Sequence, residues 1–508
     1  MQENSKRIAK NTLLLYVRMG ISLLVSLYTS RVILNTLGVD DFGLYCVVGG
    51  IVAMVGFLNA SMSSSTSRFL TFELGRGNVE QLKDIFSSAM IVHIGIAALV
   101  FVFAETVGLW FLYNKLVIPE SRMAAAAFVY QLSILATVIE ITQVPYSASI
   151  ISRERFGIYA YIEILNVCLR LVSVYLLLIG DWDKLKLYSI LVFFSSFLIM
   201  IVSRVYCIRQ FKECRFHWVY KKEVILPMLS FSGWDMYINA CVTARHQGMI
   251  MLVNLFFGIA VNAAAGIALT VQTTLSNLVV NVLSAFRPQI IKQYASGNYS
   301  YMKRLILQCS QFLSILFMIL ALPVFFEMHF LMHLWLGQIP EGSVDFARIA
   351  LLTNWVGLIN SIFTIPIYAI GKIKRYSFIT GTVFLLTLLA IYATLKLGGT
   401  PLSVFICMFF SNVAVLLTNI CVLKSMMRDF PMMMFVHKSF LPVAFVLLLS
   451  VPLFISINSR MEEGWIRLIS SVGLSLTVVL GLSYYCILDR QQRSVLTEFI
   501  KMKIMRMT

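Results

Sequence analysis

Three arginines deep inside apolar stretches are the residues of this chain whose chemistry is most informative. Arg18, Arg170 and Arg245 each lie well inside a run of apolar residues. A charge at the centre of a helix in hydrocarbon costs about 2.5–3.5 kcal/mol on insertion scales, so it needs water or a partner. A guanidinium stays protonated and contacts phosphate oxygens bidentately. Arg18 and Arg245 are therefore candidate ligands for an anionic, phosphate-bearing group.

Acidic residues lie at a similar depth, at Glu140, Glu163 and Asp235. Glu140 and Arg170 fall at comparable depth on neighbouring apolar runs, which favours a structural ion pair over an ion-coupling or substrate site. Three further arginines lie nearer the outer ends of their runs, where snorkelling to the surface is favoured: Arg31, Arg348 and Arg467.

The composition indicates that transmembrane helices position these charged residues. Of the residues, 59% are hydrophobic and 13% charged, and the mean hydropathy is +0.84. Apolar runs of 18 or more residues are long enough to cross a hydrocarbon core of about 30 Å as helices. The strands of a membrane β-barrel would instead alternate over about ten residues. The fold class is therefore an all-α polytopic membrane protein.

We place fourteen transmembrane spans, α1 to α14, along the sequence. They cover residues 12–34, 42–62, 85–110, 123–148, 156–180, 186–208, 225–254, 262–285, 305–326, 347–370, 377–395, 401–423, 438–457 and 465–487. The first is too long for a signal peptide core and lacks an A-x-A cleavage site, so we expect it to be retained.

Basic residues set the orientation of the spans. Of the 41 Lys and Arg residues, 29 lie in or next to the terminal tails and even-numbered connections, and 6 in or next to the odd-numbered ones. Short cytoplasmic loops accumulate these residues, so both termini are predicted to be cytoplasmic. The net charge of +17 therefore lies along one membrane face and does not indicate nucleic-acid binding.

A repeat with an offset of 220 residues organises the chain. LGRGNVEQLKDIF and YASGNYSYMKRLI both contain a Gly-Asn pair followed five residues later by lysine. Other matches are Gly38 with Gly258, Arg155-Phe156 with Arg375-Tyr376 and, within one residue, Pro145 with Pro366. The pattern predicts two six-helix lobes related by a pseudo-two-fold axis along the membrane normal, plus two extra helices. The predicted domains are 1–220 (N-lobe), 221–430 (C-lobe) and 431–508 (α13, α14 and a basic cytoplasmic tail).

The span α7 is the least lipid-like of the fourteen. A stripe at helical spacing contains Asp235, Asn239 and His246, and the adjacent stripe contains Arg245. Both stripes cannot face lipid, so we expect α7 to line a central aqueous cavity. The alternative is a helix buried among others that satisfy its polar groups. With Arg18 of α1, Arg245 would bind substrate in this cavity.

The sequence lacks the residue patterns that nucleotide binding, metal binding and enzymatic catalysis require. The sequence contains no phosphate-binding G-x-x-x-x-G-K-[ST] loop, no G-x-G-x-x-G fingerprint and no C-x-x-C pair. His329 and His333 have i, i+4 spacing but no second ligand pair, so we predict no metal. No nucleophile or acid–base constellation is evident. We therefore expect neither a cofactor nor an enzyme.

The sequence resembles the Wzx-type polysaccharide and O-antigen flippases of the multidrug/oligosaccharidyl-lipid/polysaccharide (MOP) superfamily. The resemblance rests on RMGISLLVSLYTSRVILNTLGVDDFGLY, on SRERFGIYAYIEI and on the fourteen-span layout. It implies a two-lobed MATE-like fold in a bacterial inner membrane that translocates an undecaprenyl-pyrophosphate-linked oligosaccharide. It also implies a cationic cavity for the headgroup, for which Arg18, Arg31 and Arg245 match in kind. The resemblance also implies the machinery of a polysaccharide polymerase as a possible partner of this protein.

Three alternatives remain at this stage. A lipid II flippase of the MurJ type also has fourteen spans and cavity arginines. A MATE-type drug or sodium antiporter would use acidic sites such as Asp235 and Glu140. A membrane scaffold without transport is the third alternative. We further predict that α13 and α14 offer a groove for a lipid tail, and that residues 492–508 form an amphipathic helix on the membrane.

Overall fold

The computed structural model describes most of the chain. It covers residues 14–22, 25, 28–29, 32–33, 36–38, 41, 44–45, 56–114, 118–179, 182–219, 221–489 and 492–493. Arg31 lies outside the described residues, and so does nearly all of the tail for which an amphipathic helix is predicted.

The described residues form helices and contain no strand. Residues 14–22 of α1 are helical. The later helices are α2 (Gly56–Arg76), α3 (Val79–Asn114), α4 (Glu120–Ser152), α5 (Phe156–Leu176), α6 (Lys184–Gln210), α7 (222–257), α8 (Ala260–Ala295), α9 (Tyr299–Phe326), the short helix Met328–Leu336, α10 (Ser343–Ile370), α11 (Lys374–Lys396), α12 (Pro401–Met426), α13 (Met432–Arg460) and α14 (Trp465–Cys486).

Eleven of the described helices, α3 to α6 and α8 to α14, are long and apolar enough to cross a membrane. An all-helical, multi-pass membrane protein is therefore confirmed, while the count of fourteen spans stays a prediction. One boundary differs clearly: α2 continues to Arg76, so residues 63–76 are helical and not a loop. The chain divides into two compact units, residues 9–239 and residues 240–508, which we call the N-terminal and C-terminal units.

In the N-terminal unit, α4 is the central helix and packs against α2, α3 and α6. The core at the predicted cytoplasmic end surrounds Phe86, which is fully buried and meets the ring of Tyr146 edge-on at 5.2 Å. Residues from α2, α3, α4, α6 and the connection after α6 complete this cluster. The helix ends of the unit are thereby fixed to one another by apolar burial.

In the C-terminal unit, α12 packs against both α10 and α11, and α9 packs against α10. Phe346 and Phe405 stack at 4.7 Å in its main core. The hairpin α13–α14 packs on α9 through a separate apolar cluster that includes Met318, Val446 and Val479. The hairpin therefore has its own interface with α9.

The loops of the 220-residue repeat have matching local conformations. Gly77 and Gly297 both have positive φ angles, 74° and 76°. The next residue caps the following helix in each copy: Asn78 Oδ1 accepts from the Gln81 amide, and Asn298 Oδ1 from the Tyr301 amide. Glycine adopts positive φ without strain and asparagine is a favoured N-cap, which explains the recurring pair.

A buried ion pair fastens the hairpin to α9. Arg467 Nε donates to Glu327 Oε2 at 2.8 Å, and Ser471 Oγ donates to Glu327 Oε1 at 2.7 Å. Glu327 is fully buried and Arg467 is 6% exposed. Arg467 is therefore not a snorkelling side chain, because its charge is satisfied inside the protein.

Replacing Glu327 with alanine should destabilise the protein markedly. Arg467 would remain buried without its carboxylate, and breaking a buried pair from one side costs about 3–5 kcal/mol. Thermal unfolding of the purified protein in detergent measures the effect. Asp345→Ala is the matched control, because its 3.8 Å contact with Arg348 is exposed and surface pairs contribute about 0–1 kcal/mol. Equal melting temperatures for the two variants would contradict a stabilising role of Glu327.

Candidate functional site

Arg18 of α1 lies against α5 in the N-terminal unit. Its guanidinium carbon is 5.2 Å from the centre of the Tyr159 ring. Glu163, one helical turn further along α5, acts electrostatically on the same tyrosine. All three side chains are partly exposed. Two predicted site residues, Arg18 and Glu163, are thus brought together around an aromatic ring that the sequence prediction did not include.

Arg170 extends this charged face of α5. Tyr159, Glu163 and Arg170 are spaced by four and seven residues, which places them on one side of a helix. The Arg170 charge acts on the Glu140 carboxylate of α4, and both side chains are exposed. No direct ion pair joins these two described residues, so their interaction acts through space.

Two tyrosines continue the contact of α1 with α5. Tyr28 Oη and Tyr175 Oη lie 2.9 Å apart. Arg18 meets residue 159 and Tyr28 meets residue 175, so the two helices run side by side in the same direction. Odd-numbered spans of a polytopic helical protein share their direction, and this pairing agrees with the predicted helix numbering.

Asp235 and Asn239 of α7 face α2 within the N-terminal unit. Asn239 Nδ2 donates to Ser61 Oγ at 3.0 Å and to the Asp235 carbonyl at 2.9 Å. Ser65 Oγ donates to the Met228 carbonyl at 3.3 Å. Asp235 is only 2% exposed. The α2–α7 contact is thus a polar seam in which serines of one helix satisfy polar groups of the other.

Arg68 lies at the end of this seam and was missed by the sequence analysis, which placed it in a loop. Its guanidinium lies 4.7 Å from the Phe69 ring, 4.8 Å from Phe72 and 5.9 Å from Phe231. The side chain is 8% exposed. The run SMSSSTSR, with small polar residues and an arginine inside a helix, was the signal that could have identified it.

Arg245 is more deeply buried than Arg18, the other predicted substrate-binding arginine that the structure describes. It belongs to the C-terminal unit and is 5% exposed. Nη1 donates to Asn412 Oδ1 at 2.9 Å, and the guanidinium carbon lies 4.2 Å from the Phe384 ring centre. In the part of the chain that the structure describes, Nε has no hydrogen-bond partner. Among the described residues, no carboxylate forms an ion pair with Arg245, so all its contacts are neutral.

Neutral polar side chains surround this arginine. Asn412 Nδ2 donates to the Thr353 carbonyl at 3.1 Å, and Thr387 Oγ1 and Ser411 Oγ lie 2.6 Å apart. The amide and hydroxyl groups hold the guanidinium in place without cancelling its charge. His246, the next predicted site residue, is half-buried beside it.

The described residues contain no group of three or more His, Cys, Asp or Glu side chains arranged to hold a metal ion. His329 lies 2.8 Å from Glu463 Oε2. Burial raises the pKa of the Glu463 carboxyl, but its contacts with His329 and Arg467 outweigh this effect and lower the pKa overall. This exposed group therefore belongs to the contacts that hold the α13–α14 hairpin.

Solved structures with the same fold are MATE and MOP superfamily transporters. A MATE protein in its bent conformation aligns with TM-score 0.71 and 11% identity over 84% of this chain and 96% of that chain. The outward-facing conformation of a multidrug resistance MATE family transporter aligns with TM-score 0.69 and 10% identity, over 84% and 97%. The chain has the MATE fold. No protein-family model and no curated protein sequence matches it.

Another solved structure with this fold is a MOP superfamily transporter from Pyrococcus furiosus. Its binding pocket has reversed polarity, which suggests a different function for that protein. It aligns with TM-score 0.67 and 12% identity over 84% of this chain and 96% of that chain. At such identities the likeness establishes the fold alone.

Removing the amide that holds Arg245 should destabilise the C-terminal unit. In Asn412→Leu, Nη1 loses its closest acceptor, and a hydrogen bond to a charged group contributes about 1.5–3 kcal/mol. A thermal melt in detergent should show a clear decrease in unfolding temperature. Thr382→Val is the control, because its exposed hydroxyl bonds only to Phe378 of its own helix. An unchanged unfolding temperature for Asn412→Leu would contradict this role of Asn412.

Proposed function

We propose that this protein is a flippase that translocates a lipid-linked oligosaccharide across the bacterial inner membrane. The substrate is an undecaprenyl-pyrophosphate-linked glycan for O-antigen, capsule or another surface polysaccharide. The observation that most directly supports this proposal is that the guanidinium of Arg245 is buried and contacts only neutral groups among the described residues. Its charge is uncompensated among the described residues of the C-terminal unit, and a pyrophosphate would supply the missing anion.

The chemistry of arginine supports an anionic substrate. A guanidinium presents a planar fork of donors that matches two phosphate oxygens, whereas an ammonium acts as a point charge. Nε of Arg245 is a donor without a partner among the described residues. Arg18 supplies a second guanidinium, packed against the Tyr159 ring and partly exposed.

The MATE fold supports transport by alternating access, in which a binding site opens to each side of the membrane in turn. A headgroup that cannot cross hydrocarbon would then cross through water and fixed charge. We place the protein in the inner membrane with both termini cytoplasmic. It performs no covalent chemistry and would deliver its product to a polysaccharide polymerase.

A lipid II flippase of the MurJ type shares the proposed chemistry and differs only in the glycan. A cation-coupled MATE antiporter requires accessible carboxylates instead. Of the two predicted carboxylates, Asp235 is buried in the α2–α7 seam and Glu140 is exposed, whereas Arg245 is a buried cation held by neutral groups. This arrangement favours the anionic substrate, and transport of a cationic dye is the result that would favour the antiporter.

The hairpin α13–α14 carries a surface groove that suits a lipid tail. The groove is shallow and open, has a volume of about 530 Å³, and is lined by His437, Leu441, Pro442, Ala444, Phe445, Leu448 and Cys486. It begins beside a π-helical segment, Val436–Phe440. The opposite side of α13 is buried on α9, so this groove is the hairpin's outer surface.

Substitution of the two arginines tests the proposed headgroup site. Arg18→Ala and Arg245→Ala should each abolish export of lipid-linked glycan at normal protein levels. Lysine at either position should restore only part of the activity, because charge returns without the bidentate fork. Export is measured as surface polysaccharide in cells and as glycan flipping in proteoliposomes.

Arg348→Ala is the control for these variants, since Arg348 is partly exposed and lies near an outer helix end. It should export at the parental rate. Parental export by both Arg18→Ala and Arg245→Ala, with normal expression, would overturn the arginine site. Both residues would then have structural roles only.

Filling the groove tests the proposed tail site separately. Ala444 is exposed on α13 and lines the groove, so Ala444→Trp should occupy the space and slow export of the long-chain substrate. Ile455→Trp is the control, because residue 455 is exposed on the same helix away from the groove. Equal export rates for the two variants in proteoliposomes would exclude the groove as a tail site.

A further inference from the structure

The connection between α6 and α7, residues 211–221, is held rigidly against the N-terminal unit. Arg153 Nε donates to Glu213 Oε1 at 2.5 Å, and the Arg153 guanidinium lies 4.9 Å from the Phe211 ring centre. Glu213, Cys214 and Phe211 are all less than 5% exposed. The first half of the connection is therefore anchored by buried side chains.

The second half is anchored to the start of α3. His217 Nδ1 lies 2.8 Å from Ser87 Oγ, and its Nε2 lies 3.1 Å from Asp84 Oδ1. Lys221 Nζ donates to Asp84 Oδ2 at 2.5 Å. The hydrogen bond to Asp84 raises the pKa of the Lys221 amine. Side chains near both ends of the connection thus hold it to α3 and to Arg153.

The outward side chains are aromatic and basic. Trp218 is 80% exposed and Phe216 is 44% exposed, and their rings meet edge-on at 6.3 Å. Lys212, Arg215 and Lys222 are exposed beside them. In the described part of the chain, no hydrogen bond or ion pair engages these three cations. Glu223 and Glu80 are exposed acids near Lys221.

The position of the α6–α7 connection between two helices indicates that its outward side chains lie at the membrane surface. It joins α6, which ends at Gln210, to α7, which begins with residue 222, so it lies at a membrane boundary on the predicted cytoplasmic side. Tryptophan favours the headgroup level of a bilayer, and clustered Lys and Arg residues attract anionic lipids. A cavity for a small soluble ligand would be concave, whereas these side chains project outward.

We propose that the α6–α7 connection is a docking surface for anionic phospholipid of the adjacent leaflet. Trp218 and Phe216 insert at the headgroup level, while Lys212, Arg215 and Lys222 contact the phosphates. This surface is independent of the proposed transport substrate. Because Glu213, His217 and Lys221 hold the connection to Arg153 and Asp84, lipid bound by the outward side chains would attach this end of the N-terminal unit to the bilayer.

Quenching of Trp218 fluorescence by brominated lipids tests this surface. The full-length protein is placed in phosphatidylcholine nanodiscs with an equal mole fraction of either brominated phosphatidylglycerol or brominated phosphatidylcholine. The difference between the parent and Trp218→Phe isolates the signal of this residue. We expect quenching by the anionic lipid to be about twofold stronger or more, since each cation near the surface enriches anionic lipid.

Charge variants separate lipid selectivity from simple proximity. Lys212→Gln with Arg215→Gln should equalise quenching by the two lipids. Lys372→Gln with Lys374→Gln, which removes one exposed cation before α11 and one at its first residue, should leave the preference intact. Equal quenching of parental Trp218 by both lipids would overturn the proposal. Quenching by neither lipid would also overturn it and would indicate a connection that faces water or a protein.

Discussion

Charged and polar groups inside apolar helices have no bulk water to solvate them, and each must be satisfied by the protein or by what it binds. This constraint accounts for the main side-chain contacts of both units. Ser61 of α2 accepts from Asn239, an amide oxygen of α12 accepts from Arg245, and Glu327 pairs with Arg467. Each contact joins different helices, so satisfying the polar group also fixes the packing.

The buried arginines are satisfied in two ways, which differ in whether the partners neutralise the positive charge. Near helix ends, cations pair with carboxylates, as Arg467 does with Glu327 and Arg153 with Glu213. Arg245 is held by neutral groups and an aromatic ring. A neutral shell positions a guanidinium and leaves its field intact, which is the property that binding an anion requires. The MATE fold provides the scaffold, and the charge of such residues determines which substrate suits it.

The sequence predicts those features that depend on local spacing. The Gly-Asn pairs at 77–78 and 297–298 encode a positive φ followed by an N-cap, and the structure has both. Arg18 and Arg245 can also be identified from the sequence as candidate ligands for an anionic group, because they are arginines inside apolar runs. Their partners Tyr159 and Asn412 were not predictable, because tertiary contacts between distant residues leave no periodic signal. The partner of Arg467 was not predictable for the same reason. The position of Arg467 near a helix end indicated snorkelling, but Glu327, 140 residues earlier in the sequence, pairs with its charge.

Direct binding of a headgroup tests the central claim, that a cationic site in a MATE fold accepts an anionic lipid. Native mass spectrometry of the purified protein can compare a polyprenyl-pyrophosphate-linked sugar, the matching neutral polyprenol and a cationic dye at equal concentration. The account predicts that the pyrophosphate lipid binds in preference to the polyprenol and that the dye does not bind. Binding of the dye together with equal binding of the two lipids would contradict it.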